Sequence, residues 1–590
     1  MNVGKLSLDP SRCPAVLDTT TWDRPAALAG VKSMAMSSWA SVARGLASHP
    51  DPWTRPSDVR EPAPCRVHPG SHARWHGADI ALASLEGGQD VFVAFSRHGP
   101  PAALGAALGS IALADGLRMS VHPTDMSVLA RYLRECNPEK APRAMGTVPR
   151  IGIGDRHTVA VWPAAFRAME RGGFAANAIQ NSLRELNLLE DLKQGRPSRE
   201  NYLFGFGRIA EGHTGSTFEG LLHAGVIAAL KAPTLPRYGA DADHIQVKRG
   251  PDGLQRARRV MDASRHYTFF TLDVSDILSY DAMKTPGDVE ARALLAQAVR
   301  DPGIQRDLLA YHRRERTVDG RRYAFGEAEV GKFAGKYWAA LAGVEELCAH
   351  LRSLKGTTPF DVELSIDENP PEVPTAECLT TAEEMVFLAV EMQRRHLPVT
   401  HIAPNFGVEK GTDYRGSDGR HGLEARVRTL SRIAEAYGLM LDCHSGDDLE
   451  KETRQVFGRA SGGRINFKVS PRLQLLFAET LYDVQRDLFL YWWNDVRAFV
   501  AEEAQRGSAF AAACMKKAEA DPEPRPDADL FHYYCFVSVG RRDGNGRFVN
   551  RERLYDVSPQ CREEYGARLE KWLLEIADDL YGQGGRVNPS

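Results

Sequence analysis

The sequence predicts an α/β protein whose main body is a (β/α)₈ barrel of the TIM type. Three observations carry that reading. From about residue 201 onward, short runs rich in β-branched and aromatic residues alternate with longer stretches of helical period. Eight such runs can be counted: 203–209 (LFGFGRI), 242–247 (ADHIQV), 267–274 (YTFFTLDV), 360–366 (FDVELSI), 399–403 (VTHIA), 439–443 (LMLDC), 465–469 (INFKV) and 531–537 (FHYYCFV). Strands that alternate with helices pair in parallel through right-handed crossovers, and eight of them suffice to close a barrel. The competing architecture, an open doubly wound sheet, would place a glycine-rich phosphate turn after its first strand. Here that position reads Glu211-Gly212-His213-Thr214-Gly215-Ser216, which is no dinucleotide fingerprint.

A chain of 590 residues has room for more than a barrel. Residues 1–200 read as an N-terminal arm and an accessory α/β layer, and 201–590 as the barrel, interrupted by a helical insertion over about 280–358. Within the first part, 1–70 is rich in Pro, Ser, Ala and Trp and is expected to be loop-rich. A strand is expected at 90–96 (DVFVAFS), a buried helix over 101–117, a strand at 158–162 and a helix through 174–192.

The formal net charge of −3 provides no basic field, so nucleic acid is not an expected partner. No window holds about eighteen uninterrupted apolar residues, so no membrane span is expected. The N-terminus lacks a charged head followed by an apolar core, and the nine cysteines contain no CxxC pair. Both features suit a cytoplasmic protein with reduced thiols. Self-association is left open.

In a barrel, residues just past each strand face the active-site mouth. Those positions are chemically loaded. They include Glu211 and His213 after the first run, Asp241, Asp243 and His244 at the second, Asp273 at the third, and Glu363 and Asp367 at the fourth. His401, Asn405, Glu409 and Lys410 belong to the fifth, Asp442 and His444 to the sixth, Lys468 to the seventh and His532 to the eighth. Polar groups in a barrel wall are costly unless paired, ligated or open to the mouth. Imidazole with carboxylate, without clustered cysteine, suits a divalent Zn, Mn, Ni or Co ion. His244 and His444 are the candidate ligands on this ground, and His401, set earlier in its strand, reads as structural. Lys468, flanked by Ile465, Phe467 and Val469, needs an anionic partner, either a substrate carboxylate or a buried aspartate. A Cys443–His444 dyad is geometrically poor because neighbours in a strand point to opposite faces.

Several segments resemble the tagaturonate/fructuronate epimerase family. They are Glu211-Gly212-His213-Thr214, the run from Ala240 to Ile245, and Val362-Glu363-Leu364-Ser365-Ile366-Asp367-Glu368. Others are Ala403-Pro404-Asn405-Phe406, Glu409-Lys410-Gly411-Thr412-Asp413-Tyr414, His444-Ser445-Gly446 and Phe467-Lys468. The resemblance runs in order over roughly 200–580. It implies a metal-dependent barrel isomerase that inverts one carbinol centre of a ketose uronate through a metal-stabilised enediolate. It further implies Glu211 as proton acceptor, Asp367 as proton donor, and His244, His444 and His532 as metal ligands; His213, Glu363, Lys410 and Lys468 are the expected substrate contacts. The chain departs from the family pattern after His-Ser-Gly, where it reads Asp447-Asp448-Leu449, and after Lys468, where it reads Val469-Ser470-Pro471-Arg472. Both departures lie where the substrate is expected. The competing readings are a class II type sugar aldolase and a catalytically dead carbohydrate-binding barrel.

Overall fold

The computed structural model describes residues 1–48, 65–157, 161–203, 207–233, 237–285, 287–370, 373–409 and 411–582. Towards the N-terminus lies a five-stranded antiparallel sheet: β1 (Cys65–Trp75), β2 (Ala78–Leu85), β3 (Asp90–Ser96), β4 (Gly109–Ala112) and β5 (Arg118–His122), in the order β1-β2-β3-β5-β4. The two-residue period of a strand divides its side chains between two cores. Ala81, Ala83, Val91, Val93 and Phe95 pack with Trp39, Val42 and Leu46 of the preceding helix Met36–Ser48. Ile80, Leu82, Phe92 and Ala94 face the other way and join the core of the main body. Every residue of β3 is buried, as its unbroken apolar run requires. The expected helix over 101–117 is instead two short 3₁₀ turns, Ala102–Leu104 and Ala114–Gly116, either side of β4. Gly105 and Gly116 adopt positive φ there and break the run.

The main body is a closed barrel of eight parallel strands. These are β6 (Arg150–Gly154), β7 (Ala175–Asn181), β8 (Tyr238–Gln246), β9 (Phe269–Asp273), β10 (Asp361–Ser365), β11 (His401–Ala403), β12 (Met440–Cys443) and β13 (Ile465–Val469). They run round the barrel in chain order, and β13 pairs with β6 to close it. Six of the eight expected runs are barrel strands and two are not. Residues 203–209 fall partly outside the described residues. The rest of that run belongs to an antiparallel hairpin, Glu200–Leu203 with Gly207–Ala210, outside the barrel. Residues 531–537 form the helix Asp529–Tyr534 and a 3₁₀ turn, with Phe531 packed among Phe489, Trp492 and Trp493.

The missing strands are β6 and β7, so the barrel begins at residue 150, inside the region expected to be an accessory layer. Of the strand expected at 158–162, residues 158–160 lie outside the described residues. Val161 already opens the helix Val161–Gly172. Between β9 and β10 stand the helices Asp288–Ala298, Pro302–His312 and Glu327–Lys355. The last long helix, Pro559–Tyr581, packs on Val161–Gly172 and Lys451–Ser461, outside the seam where β13 meets β6.

Alternation in the barrel strands separates an apolar outside from a polar lumen. Leu272, Val362, Leu364, Leu441, Ile465, Phe467 and Val469 join the core shared with the surrounding helices. Their neighbours Thr271, Glu363, Asp442, Asn466 and Lys468 are buried and bond to one another inside. Gly152 of β6 makes room for this packing, because a Cβ there would collide with Gln180 and with the Lys468 stem.

Candidate active site

At the C-terminal end of the barrel lies a cavity of 680 Å³. Its floor is built by strand ends whose backbone departs from the regular ladder. In β8 the register with β9 shifts between Ala242 and Ile245, and His244 within this bulge has a φ of 42°. The bulge lets the consecutive residues Asp243 and His244 both face the cavity, which regular alternation forbids. A left-handed histidine is strained and persists because its surroundings fix it. One fixing contact is Asp273, whose Oδ2 lies 3.2 Å from His244 Nδ1. Past β12, Ser445 has a φ of 56°, and the turn it makes leaves His444 buried at the floor. The two imidazole rings meet edge to face, 4.6 Å between centroids.

His444 stands between two carboxylates, with Nε2 2.7 Å from Glu363 Oε1 and Nδ1 3.0 Å from Asp367 Oδ2. Burial disfavours its charged form, but Asp367 and Glu363 outweigh this and hold its pKa well above the usual imidazole range. Asp367 also accepts a hydrogen bond from Ser365 Oγ at 2.8 Å. Glu363 is fully buried beneath the cavity and does not line it. It pairs with His444 and Lys468.

Lys468 lines the cavity, and internal carboxylates surround its ammonium. Its Nζ lies 2.8 Å from Asp243, 3.1 Å from Asp241, 2.8 Å from Glu363 and 3.9 Å from Asp442, and it donates to Thr271 Oγ1 at 2.7 Å. Burial opposes its charge, and the surrounding carboxylates more than restore it. One ammonium among four carboxylates cannot satisfy them all. Burial pushes Asp241 up to about 7, and burial together with Glu363 pushes Asp442 well above the carboxylate range.

That surplus of negative charge is what a divalent cation would neutralise. Ligand atoms of Asp243, His244 and His444 all lie within 4.8 Å of one another, as do those of His244, Asp273 and Glu368, and of Glu363, Asp442 and His444. The residues present therefore fit an ion of the kind expected, with His244 and His444 in overlapping donor sets. His532 belongs to none of these groupings among the described residues. It lines the cavity from the helix Asp529–Tyr534. His401 bonds Thr400 Oγ1 through Nδ1 at 2.8 Å and packs on Phe269, buried within the barrel wall.

Glu211 reaches the cavity from the loop after the hairpin Glu200–Leu203/Gly207–Ala210, and not from a barrel strand; Arg256 bonds its carboxylate. His213 lines the same wall, 3.7 Å from Glu185 Oε1. Lys410 lies outside the described residues. The sequence reading missed Arg156, Gln180, Arg184, Glu185 and Gln474, all of which line the cavity. Four of them follow or end β6 and β7. The alternation in AANAIQN and the polar step after RIGIG were the available signals.

The family described as tagaturonate epimerase matches over residues 210–493. Crystal structures of the fructuronate-tagaturonate epimerase UxaE from Cohnella laeviribosi share the fold. The one-glycerol complex has 18% identity and a TM-score of 0.62, with 92% of this chain and 99% of that chain covered. The two-glycerol complex has 19% identity and a TM-score of 0.63, covering 88% and 96%. The native structure has 19% identity and a TM-score of 0.62, covering 92% and 99%. No curated protein matches the chain in sequence. The match over 210–493, together with the barrel and its loaded mouth, makes this chain similar to the tagaturonate epimerase family over nearly half of its length.

Proposed function

We propose that the enzyme inverts one carbinol centre of a ketose uronate, of the tagaturonate/fructuronate kind, with a divalent metal held at the cavity floor. The observation that carries this reading is the convergence of Asp243, His244 and His444 within 4.8 Å beneath a cavity of 680 Å³. A divalent ion there supplies an electrophile for a ketone oxygen. Inversion then asks the protein for a proton acceptor and a proton donor on different sides of the substrate. Glu211 on the side wall, oriented by Arg256, takes the proton. Asp367, beside His444 at the floor, returns one. Arg184, paired with Glu368 at 2.7 Å, holds the rim carboxylate that faces His244. Nine free cysteines, eight of them buried, suit a reducing compartment, and no helix among the described residues is long and apolar enough to cross a membrane. We accordingly place the enzyme in the cytoplasm.

The test combines metal content with turnover. The purified protein should carry about one divalent ion per chain, and His244→Ala should lose it. Glu211→Gln and Asp367→Asn should keep the ion while kcat on a ketose uronate falls by about two to four powers of ten. Full metal occupancy in His244→Ala, or near-normal kcat in both isosteric variants, overturns the reading.

A further inference from the structure

Lys468 is already surrounded by internal carboxylates, so a second partner for the acid group of the substrate would lie elsewhere on the cavity wall. We propose that Arg156, Ser470 and Gln474 form a subsite for the α-hydroxycarboxylate end of a sugar acid. The inference rests on the proposed function and names how that site takes an acid. Gln474 is 1% exposed and lines the cavity, yet neither its amide oxygen nor its amide nitrogen has a partner among the described residues. Buried amides are otherwise satisfied as a rule, so an unpaired one facing a ligand cavity points to a ligand. A primary amide offers a donor to a carboxylate and an acceptor to the hydroxyl beside it.

Arg156 follows β6 and lines the same cavity. Its Nε donates to Ser470 Oγ at 3.0 Å and its Nη2 to Glu185 Oε1 at 3.2 Å, while Nη1 has no partner among the described residues. Its guanidinium also lies over the Phe536 ring at 5.8 Å, which fixes its plane. Ser470 is the N-cap of the helix Pro471–Val484 and Gln474 lies in its first turn, and both line the cavity. The helix terminus itself is already taken. Asp447 Oδ2 accepts from Ser470 N at 3.2 Å and Arg472 N at 2.7 Å, so the subsite is built from side chains. It is two strands round the barrel from His444, along β12, β13 and β6, or about 10 Å at the usual strand spacing. A six-carbon acid can bridge that distance with its carbonyl end at the histidines.

Calorimetry on the metal-loaded protein with D-glucuronate and D-glucose tests the subsite. Glucuronate is expected to bind the wild type at least tenfold more tightly than glucose. Gln474→Leu should reduce that preference about tenfold, and Gln474→Glu should abolish it by placing a like charge in the subsite. Arg156→Met should reduce it further, while also removing one of the cations beside Glu185. A wild type with no preference for the acid, or a Gln474→Leu protein that folds and keeps the full preference, overturns the inference. Turnover of a ketose uronate is measured separately. Its absence alongside an intact, Gln474-dependent acid preference would overturn the proposed function and leave the subsite standing.

Discussion

The N-terminal sheet and the barrel are both buried on two faces, yet they use the same alternation to opposite ends. In β2 and β3 each face is apolar, and the two faces feed two cores. In β9, β10, β12 and β13 one face is apolar and the other carries carboxylates and an ammonium. A strand that packs on both sides contributes stability wherever it is touched. A strand that lines the lumen carries chemistry on every second residue, so the two regions should respond to substitution differently.

The largest contrast is expected in turnover. His444→Ala should lower kcat/KM by about three powers of ten or more, since one residue serves the donor sets and neighbours Asp367. Phe92→Ala, in the sheet, should leave kcat/KM within about twofold, and equal losses in the two variants would erase the distinction between the regions. Next in size is Lys468→Met, which strands Asp241, Asp243 and Glu363 without their cation. We expect chemical denaturation to show a loss of about 3–5 kcal/mol near neutral pH. That loss should shrink as the pH falls, because the stranded carboxylates then take up protons. A pH-independent loss would mean that Lys468 acts through packing alone.

In the sheet, Leu82→Ala should cost about 2–5 kcal/mol, with no change in its pH dependence, because it leaves only a cavity. The smallest effect sharpens the comparison outside both regions. Glu391, on the barrel helix Ala382–Arg394, is pushed against burial down to about 2 by hydrogen bonds with His312 and Arg394. Its contribution is present above pH 4.5, the unperturbed value, and is lost as the pH falls towards 2. The stability difference between wild type and Glu391→Gln should therefore be constant above pH 4.5 and close below it. A difference that persists at pH 2 would contradict the assignment.

The contrast also decides what could be read from the sequence. DVFVAFS announces a strand because its five middle residues, Val91 to Phe95, are all apolar and nothing interrupts them. The runs FDVELSI and INFKV announced theirs because β-branched and aromatic residues outweigh the polar alternates. In RIGIG two glycines remove that propensity, and in AANAIQN alanine and amides do, so β6 and β7 passed for an accessory layer. The aromatic run FHYYCFV misled in the other direction, because its aromatics pack as helix faces on Trp492 and Trp493. At the site, His244, His444 and their carboxylates were legible as residues placed at strand ends. For Lys468 the sequence offered only a choice between a substrate carboxylate and a buried aspartate, since only the closed lumen brings Asp241, Thr271 and Glu363 to it. Nor could the sequence announce that a bulge lets Asp243 and His244 share one face.

The pairing of β13 with β6 has a consequence for how the molecule can be divided. A fragment starting at residue 201 would retain six strands and lose two that are neighbours, leaving β8 and β13 as bare edges. Unpaired parallel edges present rows of amide and carbonyl groups to any other chain, and such fragments associate rather than fold. The helix Pro559–Tyr581 would at the same time lose Val161–Gly172, its main support. The region that matches the epimerase family, 210–493, is therefore not a unit of folding: two of its staves come from upstream of the match.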